Sequence, residues 1–103
     1  MSDLKNRPLD YFSEKIRAIL PELQQQYGVQ NLWLFGSYVR AEQRKKSDLD
    51  ILVSFNNPYL SLIEFIQLEQ YLSDLLNVDV DLIEKETLKP KIGQRILQEA
   101  LPV

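Results

Sequence analysis

Two short apolar runs lie close together in this sequence, at residues 31–35 (NLWLF) and 48–53 (DLDILV). Each has the length and the apolar or aromatic content of a buried strand. Twelve residues separate the two runs, which is short for the crossover that joins parallel strands, so the pair is predicted to be antiparallel. Gly36-Ser37, directly after the first run, should therefore face Asp48 and Asp50 at the start of the second.

The segments on either side of the first strand predict a helix and a loop. An amphipathic helix should start at Pro8, kink or split at Pro21 because proline lacks an amide donor, and end at Gly28. Residues 38–46 predict a helical turn and a loop, and residues 56–58 (NNP) predict a turn. The apolar positions that predict the first helix are Leu9, Phe12, Ile16, Ile19, Leu20 and Leu23.

The second half of the chain predicts a helix, a strand and a final helix. Residues 62–76 have helical spacing, and their apolar stripe should cover the sheet. Residues 78–83 alternate like a strand, Thr87 should cap the final helix, and Pro90 suits its first turn. The predicted order is α-β-(α)-β-α-β-α, an α/β (α+β) fold in which a small mixed sheet is flanked by helices.

Length and composition predict one globular domain over residues 1–103. The hydrophobic fraction of 45% and the charged fraction of 26% are those of ordinary globular proteins. No apolar run approaches the roughly 20 residues that a membrane-spanning helix needs, and the N-terminus has no apolar signal-peptide core. A cytoplasmic protein that does not contact membrane is therefore expected.

The sequence contains no histidine and no cysteine. This excludes zinc sites built on those residues, histidine general bases and serine–histidine catalysis. Metal chemistry would have to use carboxylates and a hard cation, for which Mg²⁺ is the natural candidate. The net charge of −3 argues against a protein whose main task is to grip nucleic-acid phosphates, so no direct nucleic-acid binding is expected.

Gly36-Ser37 is a candidate phosphate-binding turn. Glycine lets the backbone turn tightly and approach a ligand, and the turn amides and the serine hydroxyl can donate hydrogen bonds to phosphate oxygens. A Gly-Ser pair by itself is more often a simple turn with a helix cap. Its value here comes from its combination with the acids that follow ten residues later.

Asp48 and Asp50 are candidate metal ligands. They lie two residues apart in a strand, so both side chains leave the same face and can hold one cation site. A third carboxylate is expected if the site holds two metal ions roughly 4 Å apart. Asp79 and Asp81 of the third strand share a face by the same rule, so periodicity does not choose between them. Asp81 is preferred because it lies deeper in the strand.

The segments FGSYVR (35–40) and SDLDILV (47–53) together resemble the signature of the DNA polymerase β superfamily of nucleotidyltransferases. Within that superfamily the chain most resembles the minimal nucleotidyltransferases, or MNT proteins. The likeness continues through VDLI (80–83) and from Leu88 to Ala100. It implies the polymerase β-type nucleotidyltransferase fold.

The resemblance also implies a role for individual residues. Gly36 and Ser37 match the phosphate-binding turn, Asp48 and Asp50 match the metal-binding pair, and Asp81 matches the third acid. By this resemblance Asp81 would help to hold the catalytic metal and draw the proton from the acceptor hydroxyl. Ala41 departs from the family, which usually has glycine there, and puts the path of the loop in question.

Basic residues after the turn are further candidates for binding the nucleotide. Arg40 matches the family pattern Gly-Ser-x-x-Arg and could steady the charge of a triphosphate or of pyrophosphate. Lys45 and Lys46 could do the same, although solvated loop lysines are an equally good interpretation.

The reaction implied by the resemblance is Mg²⁺-dependent nucleotidyl transfer from ATP. Proteins of this appearance resemble antitoxins that neutralise HEPN-domain ribonuclease toxins by attaching AMP to a toxin tyrosine, which would make ATP and a HEPN toxin the partners. Two alternatives stay open: an antitoxin that acts only by binding its toxin, and a small-molecule nucleotidyltransferase of the aminoglycoside type.

Overall fold

The computed structural model describes residues 8–44 and 46–103. Its four strands form one sheet in the order β3-β2-β1-β4. β1 is antiparallel to both β2 and β4, whereas β2 and β3 are parallel. The predicted mixed sheet with flanking helices is confirmed, as is the antiparallel first pair. In chain order the elements are α1 (Pro8–Tyr27), β1 (Val29–Phe35), β2 (Leu49–Phe55), α2 (Leu62–Leu76), β3 (Val80–Glu84), a 3₁₀ turn (Lys85–Thr87), α3 (Pro90–Glu99) and β4 (Leu101–Pro102).

Helix α1 runs without a break through Pro21, so the predicted split is wrong. Proline deprives the carbonyl four residues earlier of its hydrogen bond, and here that carbonyl belongs to Arg17. Both Pro21 and Arg17 are exposed, so water can take the place of the missing donor. The predicted end is confirmed, because Gly28 follows Tyr27 with a φ of 70°. None of the described helices is long and apolar enough to cross a membrane.

Helices α1 and α2 bury one face of the sheet. From α2 the core takes Leu68, Leu72 and Leu76, which are spaced four apart on one side of the helix. Leu62 and Ile66 are 74% and 53% exposed, so the predicted stripe is only partly right. Ile66 lies two residues before Leu68, and residues two apart on a helix point to nearly opposite sides. The helix therefore carries two apolar stripes, and the one that contains Leu68 faces the core.

Helix α2 is the crossover between the parallel strands β2 and β3. It begins with a capping box in which the Ser61 side chain accepts from the Glu64 amide and the Glu64 side chain accepts from the Ser61 amide. It ends at Asn77, which adopts the left-handed conformation with a φ of 54°. The predicted turn at residues 56–58 precedes it and is confirmed.

Side chains of α2 bind the outer edge of β3. Ser73 Oγ accepts from the Val80 amide at 3.0 Å, and Glu69 Oε2 accepts from the Leu82 amide at 2.9 Å. These two amides flank Asp81. The opposite edge of the sheet is β4, which is two residues long and ends in Pro102, a residue without an amide hydrogen.

Three predictions near the third strand and the last helix need correction. β3 begins at Val80, two residues later than predicted. Thr87 does not cap α3, because its Oγ1 donates to the Glu84 carbonyl at 2.7 Å within the 3₁₀ turn. The cap position is Lys89, which makes no side-chain capping bond, and Pro90 does lie in the first turn. The short strand β4 was not predicted.

Candidate active site

Gly36 ends β1 in a conformation that favours glycine, with a φ of 84°. A Cβ atom at this position would overlap the carboxylate of Asp50 and lie 2.9 Å from its Cγ. The turn is closed by a bond from the Arg40 amide to the Gly36 carbonyl, 3.1 Å, and one from the Glu42 amide to the Ser37 carbonyl, 2.8 Å. The sequence therefore needs glycine here because the turn passes directly over an acid of β2.

In the part of the β1–β2 connection that the structure describes, the Arg40 amide bonds to the Gly36 carbonyl with α-helical spacing, but no helix forms. The predicted helical turn is confirmed to that extent. Ala41 has a φ of 57°, a left-handed conformation that costs an L-amino acid with a side chain roughly 1–2 kcal/mol. The loop thus follows a path suited to glycine at position 41, although this chain has alanine there.

The strand register brings two of the predicted acids side by side. Asp50 pairs with Phe35 across the antiparallel strands and with Asp81 across the parallel strands. Paired residues on neighbouring strands project from the same face of a sheet, so Asp50 and Asp81 share the face opposite the α1–α2 core. Asp48, just before β2, lies two residues from Asp50 on the same side.

Burial and like charge act together on Asp50. Its side chain is half-buried, and desolvation, followed by the negative charges of Asp81 and Asp48, raises the pKa of its carboxyl to about 6. Arg40 acts in the opposite direction but does not cancel them. Asp81 and Asp48 are therefore close enough to Asp50 to repel its carboxylate, and a cation placed beside it would relieve that repulsion.

Asp79, the alternative third acid, lies elsewhere. It precedes β3 and is exposed. It lines a polar hollow of about 850 Å³ together with Lys46, Asn77 and other residues at the end of α2. Among the residues described, no three acidic side chains are grouped so as to hold a metal ion as they stand.

Arg40 and a residue of α3 meet at the Gly-Ser turn. Arg40 Nη1 donates to Glu99 Oε1 at 3.0 Å, and its Nε donates to Glu42 Oε1 at 3.0 Å. Glu99 Oε1 also accepts from the Gly36 amide at 3.1 Å. Sequence reasoning missed Glu99, because its place depends on β4 returning beside β1 and no local pattern signals that. Lys46 is exposed, and Lys45 lies outside the described residues.

A groove of about 550 Å³ lies away from the acids. Its lining includes Phe55, Phe65, Leu82 and Thr87, and it lies towards the opposite end of β2 from Asp50. It contains none of the three acids and does not include the Gly-Ser turn. The chemistry-bearing residues are thus gathered on an open face at one end of the sheet.

The chain has relatives among known proteins. The profile of the family described as nucleotidyltransferase domain matches residues 14–103. The chain is 45% identical to the protein adenylyltransferase MntA of Thermococcus cleftensis over 87% of its own length and 94% of the relative's.

Two solved structures extend the comparison. A protein described as a candidate minimal nucleotidyltransferase superposes with a TM-score of 0.77 at 34% identity, over 92% of this chain and 95% of that one. A chain from the complex of a tri-AMPylated Shewanella oneidensis HEPN toxin with an MNT antitoxin superposes with a TM-score of 0.63 at 25% identity. That match covers 88% of this chain and 70% of the other.

Proposed function

Because the chain belongs to the nucleotidyltransferase domain family, we propose that it is an antitoxin that transfers AMP from ATP to a tyrosine of a HEPN-domain toxin in a Mg²⁺-dependent reaction. The observation that carries the proposal is the register of Asp50 with Asp81, directly beneath the Gly36 turn. It supports one site in which phosphate-binding and metal-binding groups adjoin.

The Gly-Ser turn and Arg40 bind the phosphates in this proposal. The amide of Gly36 and the hydroxyl of Ser37 donate to phosphate oxygens, and the Arg40 guanidinium neutralises their charge. The turn suits a triphosphate because it lies at the end of β1, where its backbone amides are not needed for pairing within the sheet.

The three acids fit the metal that the family implies. Asp48, Asp50 and Asp81 offer only oxygen donors, which Mg²⁺ prefers, and the pKa of Asp50 is raised first by burial and then by the negative charges of Asp81 and Asp48. Asp48 and Asp81 are exposed, so their side chains can rotate towards a common ion. When bound, Mg²⁺ would supply positive charge that stabilises the phosphates as charge develops on the leaving group.

The reaction forms one bond and breaks one. The acceptor oxygen bonds to the α-phosphorus of ATP, the bond from that phosphorus to the oxygen bridging to the β-phosphate breaks, and pyrophosphate leaves. The acceptor's proton passes to Asp81, which is exposed and can meet a hydroxyl arriving from solvent. Asp81 thus acts as the base in a chain that has no histidine.

The acceptor is proposed to be a tyrosine on a second protein. The relatives carry the support, since one is named a protein adenylyltransferase and another structure holds an AMPylated HEPN toxin with its MNT antitoxin. An open catalytic face suits an acceptor presented by a protein surface better than a small free molecule, which needs an enclosing pocket.

The test is transfer of label from α-labelled ATP to the HEPN-domain toxin that is proposed as the partner. With Mg²⁺ the wild-type chain should label the partner, and replacing the partner's acceptor tyrosine with phenylalanine should abolish the label. Asp81→Asn should slow labelling by about 10²- to 10⁴-fold, the usual contribution of a general base. Asp79→Asn is the matched control and should label at the wild-type rate.

Two other outcomes would replace the proposal. Neutralisation of the toxin that survives Asp48→Ala/Asp50→Ala, without any label, would indicate an antitoxin that acts by binding alone. Labelling of small hydroxyl compounds in the absence of a partner protein would indicate a small-molecule nucleotidyltransferase.

A further inference from the structure

Glu99 accepts hydrogen bonds from two groups that are proposed to bind the triphosphate. A single carboxylate oxygen, Oε1, accepts from the Gly36 amide at 3.1 Å and from Arg40 Nη1 at 3.0 Å. A backbone amide of a glycine turn and a guanidinium are both donors that proteins commonly use to bind phosphate. Both of these donors belong to the site proposed to bind the triphosphate.

The placement of Glu99 has no support from its own helix. It is the last residue of α3 (Pro90–Glu99), and a helix C-terminus carries partial negative charge that disfavours an acid. The last turn of α3 contains no basic residue. The carboxylate is therefore held by the turn and by Arg40, and β4, which starts two residues later and pairs with Trp33 and Leu34, fixes its distance from them.

We propose that Glu99 is a built-in competitor for the phosphate-binding turn, which an incoming nucleoside triphosphate must displace before it can bind. This inference rests on the proposed function, because it assigns a second occupant to the same turn. A triphosphate carries more negative charge than one carboxylate and also brings a cation, so it wins at sufficient concentration. The competition lowers the apparent affinity by the fraction of molecules in which Glu99 holds the turn.

Displacement also frees Arg40 Nη1 for the nucleotide, while Nε stays paired with Glu42. In the structure both ion pairs of Arg40 are with acids of the chain itself, Glu99 and Glu42. Only Glu99 holds the arginine and the turn amide together. Loss of the Glu99 contact therefore releases two phosphate-binding donors at once, whereas loss of the Glu42 contact releases none of the turn.

The experiment compares Glu99→Gln with Glu42→Gln by calorimetric titration with Mg²⁺·ATP and with inorganic tripolyphosphate. Each variant removes one negative charge beside the same arginine, so Glu42→Gln controls for a general electrostatic effect. Glu99→Gln should tighten binding of both probes by roughly three- to tenfold, as expected for loss of a partly exposed ion pair. Glu42→Gln should change it less than about twofold.

Kinetics provide the second measurement. In labelling of the partner, a competitor acts only on binding, so Glu99→Gln and Glu99→Ala should both lower the KM for ATP and leave kcat unchanged. If Glu99 instead positions the turn for catalysis, both variants lower kcat or weaken binding, and the inference is overturned. Equal affinities for Glu99→Gln and wild type would overturn it too.

The two proposals fail separately. If the wild-type chain labels its partner but Glu99→Gln gains no affinity, competition is wrong and nucleotidyl transfer stands. If no chain labels any acceptor but Glu99→Gln binds tripolyphosphate more tightly, the turn is a competed anion site and the proposed reaction is wrong. If neither chain binds either probe, both proposals are wrong.

Discussion

Gly36 and Gly93 occupy opposite environments, and this difference predicts opposite effects of alanine. A Cβ at Gly36 overlaps the Asp50 carboxylate and the backbone has a φ of 84°, whereas a Cβ at Gly93, inside α3, would lie at an ordinary 3.9 Å from the Leu88 side chain. Gly36→Ala should lower the free energy of unfolding by about 1–3 kcal/mol and abolish labelling of the partner. Gly93→Ala should raise it by up to about 1 kcal/mol. Urea denaturation measures both, and destabilisation by Gly93→Ala alone would contradict the geometry described.

Asp50 makes stability depend on pH in a direction set by its raised pKa. The pKa rises from 3.8 to about 6 on folding, so between these pH values the folded state keeps a proton that the unfolded state has lost. The free energy of unfolding therefore falls as pH rises through about 6. The stabilising contribution of the protonated Asp50 is fully present below about pH 4. Asp50→Asn should be more stable than wild type at pH 7 by about 1 kcal/mol, after allowance for solvent screening, and equal to it below about pH 4.

Urea denaturation from about pH 3 to 7.5 with a chelator present checks this expectation. Asp74→Asn, at an exposed position on α2, is the matched control and should follow the wild-type profile. An Asp50→Asn advantage that persists unchanged below about pH 4 would show that the gain does not come from the ionised carboxyl.

Individual site residues differed in how far sequence alone could locate them. The spacing from Gly36-Ser37 to Asp48 and Asp50 placed these four residues at one end of the sheet because a short antiparallel connection leaves little choice. Asp81 could not be separated from Asp79 by periodicity, since that choice depends on the register of β3 with β2. Glu99 carried no local signal at all, because it reaches the turn through a strand pair formed by the last residues of the chain.

The connection between β1 and β2 is strained at Ala41, which predicts a stabilising substitution. Ala41 has a φ of 57°, which alanine adopts only at a cost and glycine adopts freely. Ala41→Gly should raise the free energy of unfolding by about 0.5–1 kcal/mol, even though glycine makes the unfolded chain more flexible. The measurement is thermal or urea denaturation.

Ala18→Gly is the control for that substitution. Ala18 is exposed within α1, where the backbone is helical and glycine costs about 1 kcal/mol. The same substitution should therefore raise the free energy of unfolding at position 41 and lower it at position 18. Loss of stability at both would show that Ala41 is not strained.

Helices and strands were predicted where a single periodic pattern decided them. The central strands followed from their apolar runs, and α1 and α2 followed from helical spacing. The predictions failed where a local sequence signal competes with the surroundings of the residue in the fold. Pro21 is tolerated because its side of α1 faces water, and Thr87 binds the Glu84 carbonyl instead of capping α3. Residues 62–76 carry a second apolar stripe that spacing alone cannot distinguish from the buried one.

At the scale of the whole molecule, ligand binding should appear as added stability. The proposed Mg²⁺·ATP complex binds only the folded chain, and a ligand at about 100 times its Kd adds about 2.7 kcal/mol. For a domain of 103 residues this corresponds to a rise in Tm of roughly 10 °C. Thermal denaturation with and without Mg²⁺·ATP gives the shift. Asp48→Asn/Asp50→Asn should lose most of it, and an equal shift in that variant would place the ligand elsewhere.

The hydrogen bonds from α2 side chains to the outer edge of β3 affect how molecules can associate. An uncovered outer strand invites a strand from another chain, which is a common route to aggregation. Here Ser73 and Glu69 already bind the Val80 and Leu82 amides, and β4 at the other edge offers two residues ending in proline. Neither border of the sheet gives a foreign strand a continuous ladder to join. The protein can therefore expose its acidic face at high concentration without its sheet growing from one molecule into the next.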